Sequence, residues 1–226
     1  MKPKKSYFPF FKAILCSLVL FVSFNSRAKE VVLDGIKYDL NKYDRTAVVR
    51  GLTVKTAQLI IPSTISANGT VYTVNEIGSC AFHSCDFLTS IIIPESVITI
   101  GDNAFNSTSI KSIIIPDSVT ELGTSAFFYC RNLESIVLSD SLHAIEDGTF
   151  DQCVSLTSIT LPSSIRKIGM FAFSLCKSLE SITIPYSVIE IGISAFVGCD
   201  KLSSITIMNP DTRIGEYAFD DCPGWR

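Results

Sequence analysis

The chain has 226 residues, of which 47% are hydrophobic, and its formal charge is −3. This is enough apolar material for a continuous core in one large domain or two small ones. The acidic balance excludes a nucleic-acid-binding protein, which needs a basic face, and disfavours adhesion to anionic lipid.

The first 28 residues have the pattern of an export signal. Basic residues begin the chain (Lys2, Lys4, Lys5), residues 13–24 are uncharged and mostly apolar, and Ser26 and Ala28 supply small side chains for cleavage. A membrane anchor is the alternative, but the apolar run is shorter than the ~20 residues of a span. We therefore expect an exported protein, secreted or at the cell surface, with the periplasm or outer envelope as alternatives. Without residues 1–28 it has 14 Lys and Arg against 22 Asp and Glu, a formal charge of −8 and no integral membrane span.

Two strand-like segments follow the signal. Residues 31–40 and 46–52 alternate in hydrophobicity, and residues 41–44 (Asn-Lys-Tyr-Asp) have the composition of a turn. We interpret residues 29–58 as an N-terminal β cap, because the first coil of a repeat stack needs a cover. Repeats of 22–23 residues then fill residues 59–226.

The repeats are defined by a phenylalanine that returns every 22 or 23 residues. A Gly four places before it, an Ala directly before it and a Cys three places after it recur with few exceptions, among them Glu146 in place of Gly. A regular period of this length predicts a solenoid of stacked coils. The phenylalanines, which we expect to form one shared spine, are Phe82, Phe105, Phe127, Phe150, Phe173, Phe196 and Phe219.

Each repeat divides into two halves. The spacing Leu156, Ile159, Leu161 and its equivalents predicts a strand with one buried face, in parallel with its neighbours at ~4.8 Å. Ala172, Cys176 and Leu179 fall at i, i+4 and i+7, which predicts a short helical turn. The fold class is therefore an α/β repeat solenoid with a parallel sheet on its concave face and helical turns on its convex face. In the second repeat, one residue is missing, and the prediction places the deletion where Cys would stand.

The cysteines lie at one equivalent position on the buried stripe. Equivalent side chains in stacked coils run parallel and are separated by at least the strand spacing, whereas disulfides need Cβ atoms ~3.8 Å apart. Free thiols that act as small apolar fillers are favoured, with disulfides as the alternative. Cys80 lies outside this column and is expected at the surface.

The residue between the two buried positions of each strand should point outwards. These residues form the candidate ligand-binding surface, apolar at its N-terminal end and rich in hydroxyls at its C-terminal end: Ile92, Ile114, Val137, Thr160, Thr183 and Thr206. An exposed apolar patch favours a contact site, and strand propensity alone is the alternative explanation for the Ile and Val residues. Phe128, Tyr129, Tyr186 and Tyr217 are further outward-facing candidates.

No catalytic, metal or cofactor site is predicted. His83 and His143, the two histidines of the chain, lie in different repeats without a local Asp or Ser pattern. A column of serines precedes the strands, but six residues in register indicate a structural feature and not a nucleophile placed beside a base.

The unit I-G-x-x-A-F-x-x-C-x-x-L-x-S-I-x-I-P closely resembles the BspA-like leucine-rich repeat of bacterial and protozoan surface proteins. The resemblance extends over roughly residues 31–222. It implies a right-handed curved solenoid without catalytic residues, and a role in adhesion or protein recognition with host or extracellular-matrix ligands.

The sequence therefore predicts a non-catalytic binding module for a protein or glycan. The alternative is a structural envelope scaffold, assembled as a homodimer through its C-terminal coil. Trp225 is a candidate plug for that coil, and a partner or a second copy is the alternative cover.

Overall fold

The structure is a computed structural model that describes residues 29–225. The predicted export signal, residues 1–28, lies outside the described residues. Within residues 29–225 the regular elements are all strands, and no helix is present. In chain order they are β1 (Lys29–Leu33), β2 (Ile36–Asn41), β3 (Thr46–Leu52), β4 (Gln58–Ile60), β5 (Thr64–Ala67), β6 (Thr70–Ile77), β7 (Ser90–Ile92), β8 (Thr99–Ile100), β9 (Ser112–Ile114), β10 (Glu121–Leu122), β11 (Ser135–Val137), β12 (Ala144–Ile145), β13 (Lys167–Ile168), β14 (Ser181–Ile184), β15 (Glu190–Ile191), β16 (Ser204–Ile207) and β17 (Arg213–Ile214).

The N-terminal end is an antiparallel meander. Strands β1, β2 and β3 pair antiparallel, and β3 then pairs in parallel with β6. The segment 31–40, interpreted from sequence as one strand, is a hairpin that turns at Asp34 and Gly35, whose φ angles are 48° and 79°. Asp-Gly between alternating apolar residues is a strong signal for such a tight turn.

The repeats form a β-solenoid of about seven turns. The front face carries three strand pairs, β4 with β7, β9 with β11, and β14 with β16, each in parallel and in register. The coil between β11 and β14 passes through this face at residues 158–160 without forming a regular strand. A second strand from each coil lies on a side face, where β6, β8 and β10 pair in parallel, as do β12, β13, β15 and β17. All of these strands except β6 are two residues long. The third side consists of stacked turns, which we name the turn face, at residues 78–85, 101–108, 123–130, 146–153, 169–176, 192–199 and 215–222.

The predicted helical turns are wrong, because the turn face is built from a different hydrogen-bond pattern. In the first turn, the amide of Phe82 donates to the carbonyl of Ala104 in the next coil at 2.8 Å, whereas the amide of Ala81 donates to Gly78 three residues back. The two kinds of bond alternate along the turn. Two residues per turn, four positions apart, also have a positive φ, as Cys80 and Ser84 do in the first. A helix keeps every residue right-handed and bonds every amide within its own segment, so this backbone cannot be helical.

The phenylalanine column forms the predicted single spine. All seven rings are buried, and successive rings stack with centroids 4.9 to 5.6 Å apart. Burial of one aromatic ring per coil is a large share of the hydrophobic stabilisation of each coil. The spine confirms that equivalent residues of successive coils lie on one another.

The second repeat keeps the cysteine position, contrary to the predicted deletion. Thr108 lies three residues after Phe105, is buried, and its amide donates to the carbonyl of Phe105 at 3.1 Å. The amide of Cys85 makes the same bond to Phe82. Thr108 therefore takes the place of Cys, and the missing residue falls between Thr108 and the buried Ile110.

One glycine of each coil packs against the backbone of the coil before it. A Cβ at Gly123 would lie 2.4 Å from the amide nitrogen of Asp102, and a Cβ at Gly192 would lie 2.6 Å from the carbonyl carbon of Gly169. Glu146 has a side chain at this position, so its coil cannot approach the preceding coil as closely. Within the described chain, β10 and β12 accordingly do not pair, and the side face is divided into two ladders at Glu146.

Candidate binding face

The front face consists of three pairs of parallel strands, and its outward residues follow the predicted order. Successive side chains of a strand point to opposite faces. The candidate residue of each strand therefore points outwards, and the residues on either side of it point into the core. Ile92, Ile114 and Val137 are 58%, 62% and 47% exposed. Thr160, Thr183 and Thr206 are also exposed. Their predicted outward orientation is confirmed, and their role in binding remains a prediction.

The apolar part of the front face begins one coil earlier than predicted. Ile60 of β4 is 65% exposed and pairs in register with Ile92 of β7. The sequence signal was present, because Leu59, Ile60 and Ile61 repeat the pattern of the later strands without the preceding Phe turn. The apolar stripe, as we name it, therefore consists of Ile60, Ile92, Ile114 and Val137.

The strands that carry the stripe are held by bonds between coils. Ile61 donates its amide to Ile92 at 3.0 Å, and Ile115 donates its amide to Val137 at 2.9 Å. Beneath the face, Ile91 and Ile113 are buried in the core. The exposed side chains therefore project from two pairs of strands, β4 with β7 and β9 with β11, and the amide of Lys111 donates to the carbonyl of Thr89 at 3.3 Å between the pairs. A backbone held in this way favours recognition without a large rearrangement.

The cysteine column is buried and chemically quiet. Each thiol from Cys130 onwards donates to the carbonyl of the Phe one coil earlier, for example Cys153 Sγ to Phe127 at 3.2 Å and Cys176 Sγ to Phe150 at 3.2 Å. The cysteines of the described chain are free thiols, and Cys80 is exposed as predicted. Burial raises the pKa of Cys130, Cys153 and Cys176. Neutral buried thiols are poor nucleophiles and metal ligands, so these three cysteines are structural.

The remaining chemical groups do not converge. His83 and His143 are exposed on different faces and in different coils. A shallow trough of the side face is lined by His143 and by four acidic residues of neighbouring coils, Glu76, Asp102, Glu121 and Glu146. Among residues 29–225, no group of three His, Cys, Asp or Glu is arranged to hold a metal ion.

The other outward aromatic residues lie apart from the apolar stripe. Tyr186 and Tyr217 are 66% and 61% exposed, and Tyr129 is 39% exposed. Phe128 is half-buried beside Tyr129, and the Arg131 guanidinium lies over the Tyr129 ring at 5.2 Å. They form no single patch with the stripe.

The last coil is covered only in part. Trp225 stacks on Phe219 at 4.5 Å and ends the spine, as the plug interpretation predicts, but it remains 45% exposed. Ile214 is 41% exposed, whereas Ile191, its equivalent one coil earlier, is 1% exposed. This side of the coil is therefore more exposed than the same side of the coil before it.

Comparison with known proteins identifies the repeat. The model of the BspA type leucine rich repeat region matches residues 63–155 and 98–225, with six copies. No curated protein shows significant similarity to the chain. No helix of the described residues is long and apolar enough to cross a membrane.

Solved structures of bacterial proteins share the architecture. A leucine rich cell surface protein from Faecalibacterium prausnitzii is 30% identical with a TM-score of 0.62, and the match covers 80% of this chain and 55% of that one. The leucine rich repeat protein of T. pallidum is 26% identical with a TM-score of 0.58, covering 88% and 91%. A leucine-rich repeat protein from Eubacterium ventriosum is 26% identical with a TM-score of 0.56, covering 78% and 51%. The chain thus spans about half the length of the first and third of these proteins.

Proposed function

Because the chain belongs to the family of BspA-type leucine-rich repeats, we propose that it is an exported, non-catalytic protein that binds a protein or carbohydrate ligand through its front face. One observation carries the proposal: four Ile or Val side chains of successive coils stand exposed on one face of the solenoid. Contiguous exposed apolar residues on a soluble protein are typical of contact sites.

The setting of these residues supports recognition more than strand propensity alone. The later coils have Thr at the same position, and Thr also favours strands. Thr at this position would therefore favour the strand as well as Ile does. Exposing an Ile side chain to water costs about 1.5–3 kcal/mol relative to burying it. A ligand that covers the stripe would recover part of this free energy.

A binding screen of the purified protein against matrix proteins and glycans tests the proposal. We expect a ligand whose affinity falls at least about tenfold in Ile92→Asp and Ile114→Asp, because a buried unpaired carboxylate opposes the contact. Thr183→Asp is the matched control, since it adds the same charge at the same strand position of the hydroxyl-rich coils. If all three variants bind equally well, the front face is not the binding site.

Export is tested separately by cell fractionation. The family and the cell-surface relative support a location outside the cytoplasm. We expect the protein in the envelope or medium, shortened by the signal. Recovery of the uncleaved chain in the cytoplasm would contradict the export proposal.

A structural role is the second candidate, and the exposed side of the last coil favours it. Ile205 and Ile207 are half-buried, and Ile214 is exposed, at positions where earlier coils are covered. A second copy packed on this coil would form a homodimer of an envelope scaffold. Solution mass by light scattering tests it: a dimer that Ile214→Asp converts to a monomer supports assembly, and a monomer at all concentrations contradicts it.

A further inference from the structure

We propose that the apolar stripe binds an amphipathic helix of a protein partner, with Lys or Arg residues along one edge of that helix. The inference rests on the proposed function and names the chemistry of its ligand. Three observations carry it: the exposed stripe, a row of carboxylates that accompanies it, and the spacing of its residues.

A carboxylate accompanies each apolar residue of β7, β9 and β11. Glu95, Asp117 and Asp140 follow Ile92, Ile114 and Val137 by three residues each, and all three are exposed. Asp117 and Asp140 are neighbours along the solenoid, because the amide of Asp140 donates to Asp117 Oδ1 at 3.1 Å. We call Glu95, Asp117 and Asp140 the acidic row.

The acidic row is confined to the apolar coils. In the coils with Thr the same position holds the uncharged residues Ser163, Tyr186 and Asn209, and in the first coil of the stripe Ile60 is followed by Ser63. Three of the four stripe residues therefore have a carboxylate three residues later and none of the three Thr residues has one, a difference that strand propensity does not explain.

The opposite edge of the stripe has no such charge. The residues three places before Ile92, Ile114 and Val137 are Thr89, Lys111 and Glu134, whose formal charges cancel. A partner with an apolar centre and one basic edge complements this arrangement in a single orientation, since opposite potentials steer and orient association.

The spacing of the stripe matches a helix better than a strand. Successive front-face residues are separated by ~4.8 Å along the solenoid. A helix that lies along this axis presents one residue per turn every ~5.4 Å. Alternate residues of an extended strand are ~6.7 Å apart and lose register within two coils. Four residues of the stripe therefore fit about three turns of a helix.

The choice of a polypeptide over a carbohydrate follows from the stripe itself. Ile and Val side chains offer no hydrogen-bond partner to a sugar hydroxyl, and burying that hydroxyl unpaired is costly. The hydroxyl-rich coils lack the acidic row and are not part of this site.

Two synthetic helical peptides of roughly fourteen residues, which span ~21 Å, test the inference. Both carry one Leu per turn on one face; one carries Lys along the adjacent edge, and the other carries Glu there. Binding to the whole protein is measured by calorimetry at two salt concentrations. We expect the Lys peptide to bind at least about tenfold more tightly, with the difference reduced by salt, because surface charges are screened.

Charge reversal in the protein provides the reciprocal test. Glu95→Lys should weaken the binding of the Lys peptide and strengthen the binding of the Glu peptide. Asp117→Lys should have the same effect on both. Ser163→Lys is the matched control at the same position of an uncharged coil, and thermal melting verifies that each variant is folded.

The outcomes separate this inference from the proposed function. If binding is lost in Ile114→Asp but both peptides bind equally, the front face is correct and the basic edge is wrong. If neither peptide binds while a glycan or an extended peptide binds through the stripe, the helical partner is wrong. If binding survives Ile114→Asp, the proposed front face itself is refuted.

Discussion

The two halves of the solenoid, which meet at Glu146, share one interior and differ in their exteriors. The Phe rings stack through both halves without interruption. On the front face, the N-terminal half exposes Ile and Val beside the acidic row, whereas the C-terminal half exposes Thr. Interior positions repeat because each coil must bury its apolar side against the next. Exterior positions are free of that requirement, so differences among them carry the functional information.

The largest expected effect comes from a shared interior position. Phe150→Ala removes a fully buried ring between Phe127 and Phe173, whose centroids are 5.6 and 5.3 Å away. We expect a loss of about 3–5 kcal/mol in the free energy of unfolding, measured with urea. Phe150→Leu should cost less. Equal stability of Phe150→Ala and the wild type would mean that the spine does not join the halves.

The next prediction places a Glu in the C-terminal half, at a position equivalent to Glu146. Gly192→Glu introduces a Cβ that would lie 2.6 Å from the carbonyl carbon of Gly169. We expect a loss of about 1–3 kcal/mol from overpacking, with faster hydrogen exchange at residue 192, whose amide donates to Ile168 at 2.8 Å.

Glu146→Gly is the reciprocal control for that substitution. It removes a side chain where no close packing exists, so we expect a change within about 1 kcal/mol. A strong loss of stability in this variant, with none in Gly192→Glu, would contradict the packing explanation of the junction.

The next effect is a difference between the two halves in how far alkaline pH lowers their stability. The fully buried thiols belong to Cys130 and later coils, and burial raises the pKa of Cys153 and Cys176. Unfolded cysteine loses its proton near pH 8.5, so above that pH the unfolded state binds fewer protons than the folded state. Stability is therefore complete below about pH 8.5 and falls as the pH rises towards the folded pKa values.

Melting temperatures between pH 7 and 10.5 measure this loss. Hydrogen exchange at high pH should show the C-terminal half loosening before the N-terminal half. The double variant Cys153→Ala, Cys176→Ala should flatten the pH profile. A profile unchanged by these substitutions would show that other groups cause the loss.

The smallest expected effect concerns the turn face of the last coil. Tyr217 has φ 58° and a 61% exposed side chain. A left-handed conformation costs a residue with a Cβ about 1–2 kcal/mol, and Asn tolerates it better. Tyr217→Asn should therefore raise the free energy of unfolding by up to about 1 kcal/mol. Ser125→Asn, at the same position of the third turn, is the matched comparison. If Tyr217→Asn is less stable than the wild type, the Tyr217 ring makes a contact that stabilises the fold by more than the backbone strain at this residue costs.

The sequence predicted the features that repeat identically and missed those that depend on backbone detail. Period and alternation alone predict the Phe spine and the front strands. They also predict the outward orientation of the six candidate residues of the front face, from Ile92 in the first to Thr206 in the last. The helical turns were wrong because Ala172, Cys176 and Leu179 are spaced for a helix but equally for a turn with left-handed residues. Asn103, Gly148 and Gly198, which occupy such left-handed positions, were the available signal.

The side face was missed for a different reason. Its strands after β6 are two residues long, so Ile100 or Ile191 shows no alternation that a sequence pattern could detect. Glu146 was visible as an exception to the Gly column, but its effect on the ladder follows only from the contact of Gly123 with Asp102. The acidic row was not predicted. Glu95, Asp117 and Asp140 lie beyond the ends of the front strands, and only the structure shows that they are exposed next to the stripe.

The alternating bonds of the turn face determine how the molecule can come apart. Half of the amides in each turn have their acceptor in the neighbouring coil, so a coil that loses its neighbour also loses part of its own backbone structure. A coil at an end breaks bonds to one neighbour and a coil in the middle breaks bonds to two, so we expect coils to detach from the ends first. At Glu146 the ladder of the side face is interrupted, and the front face also has no strand pair between β11 and β14, so this junction is where such peeling would pause.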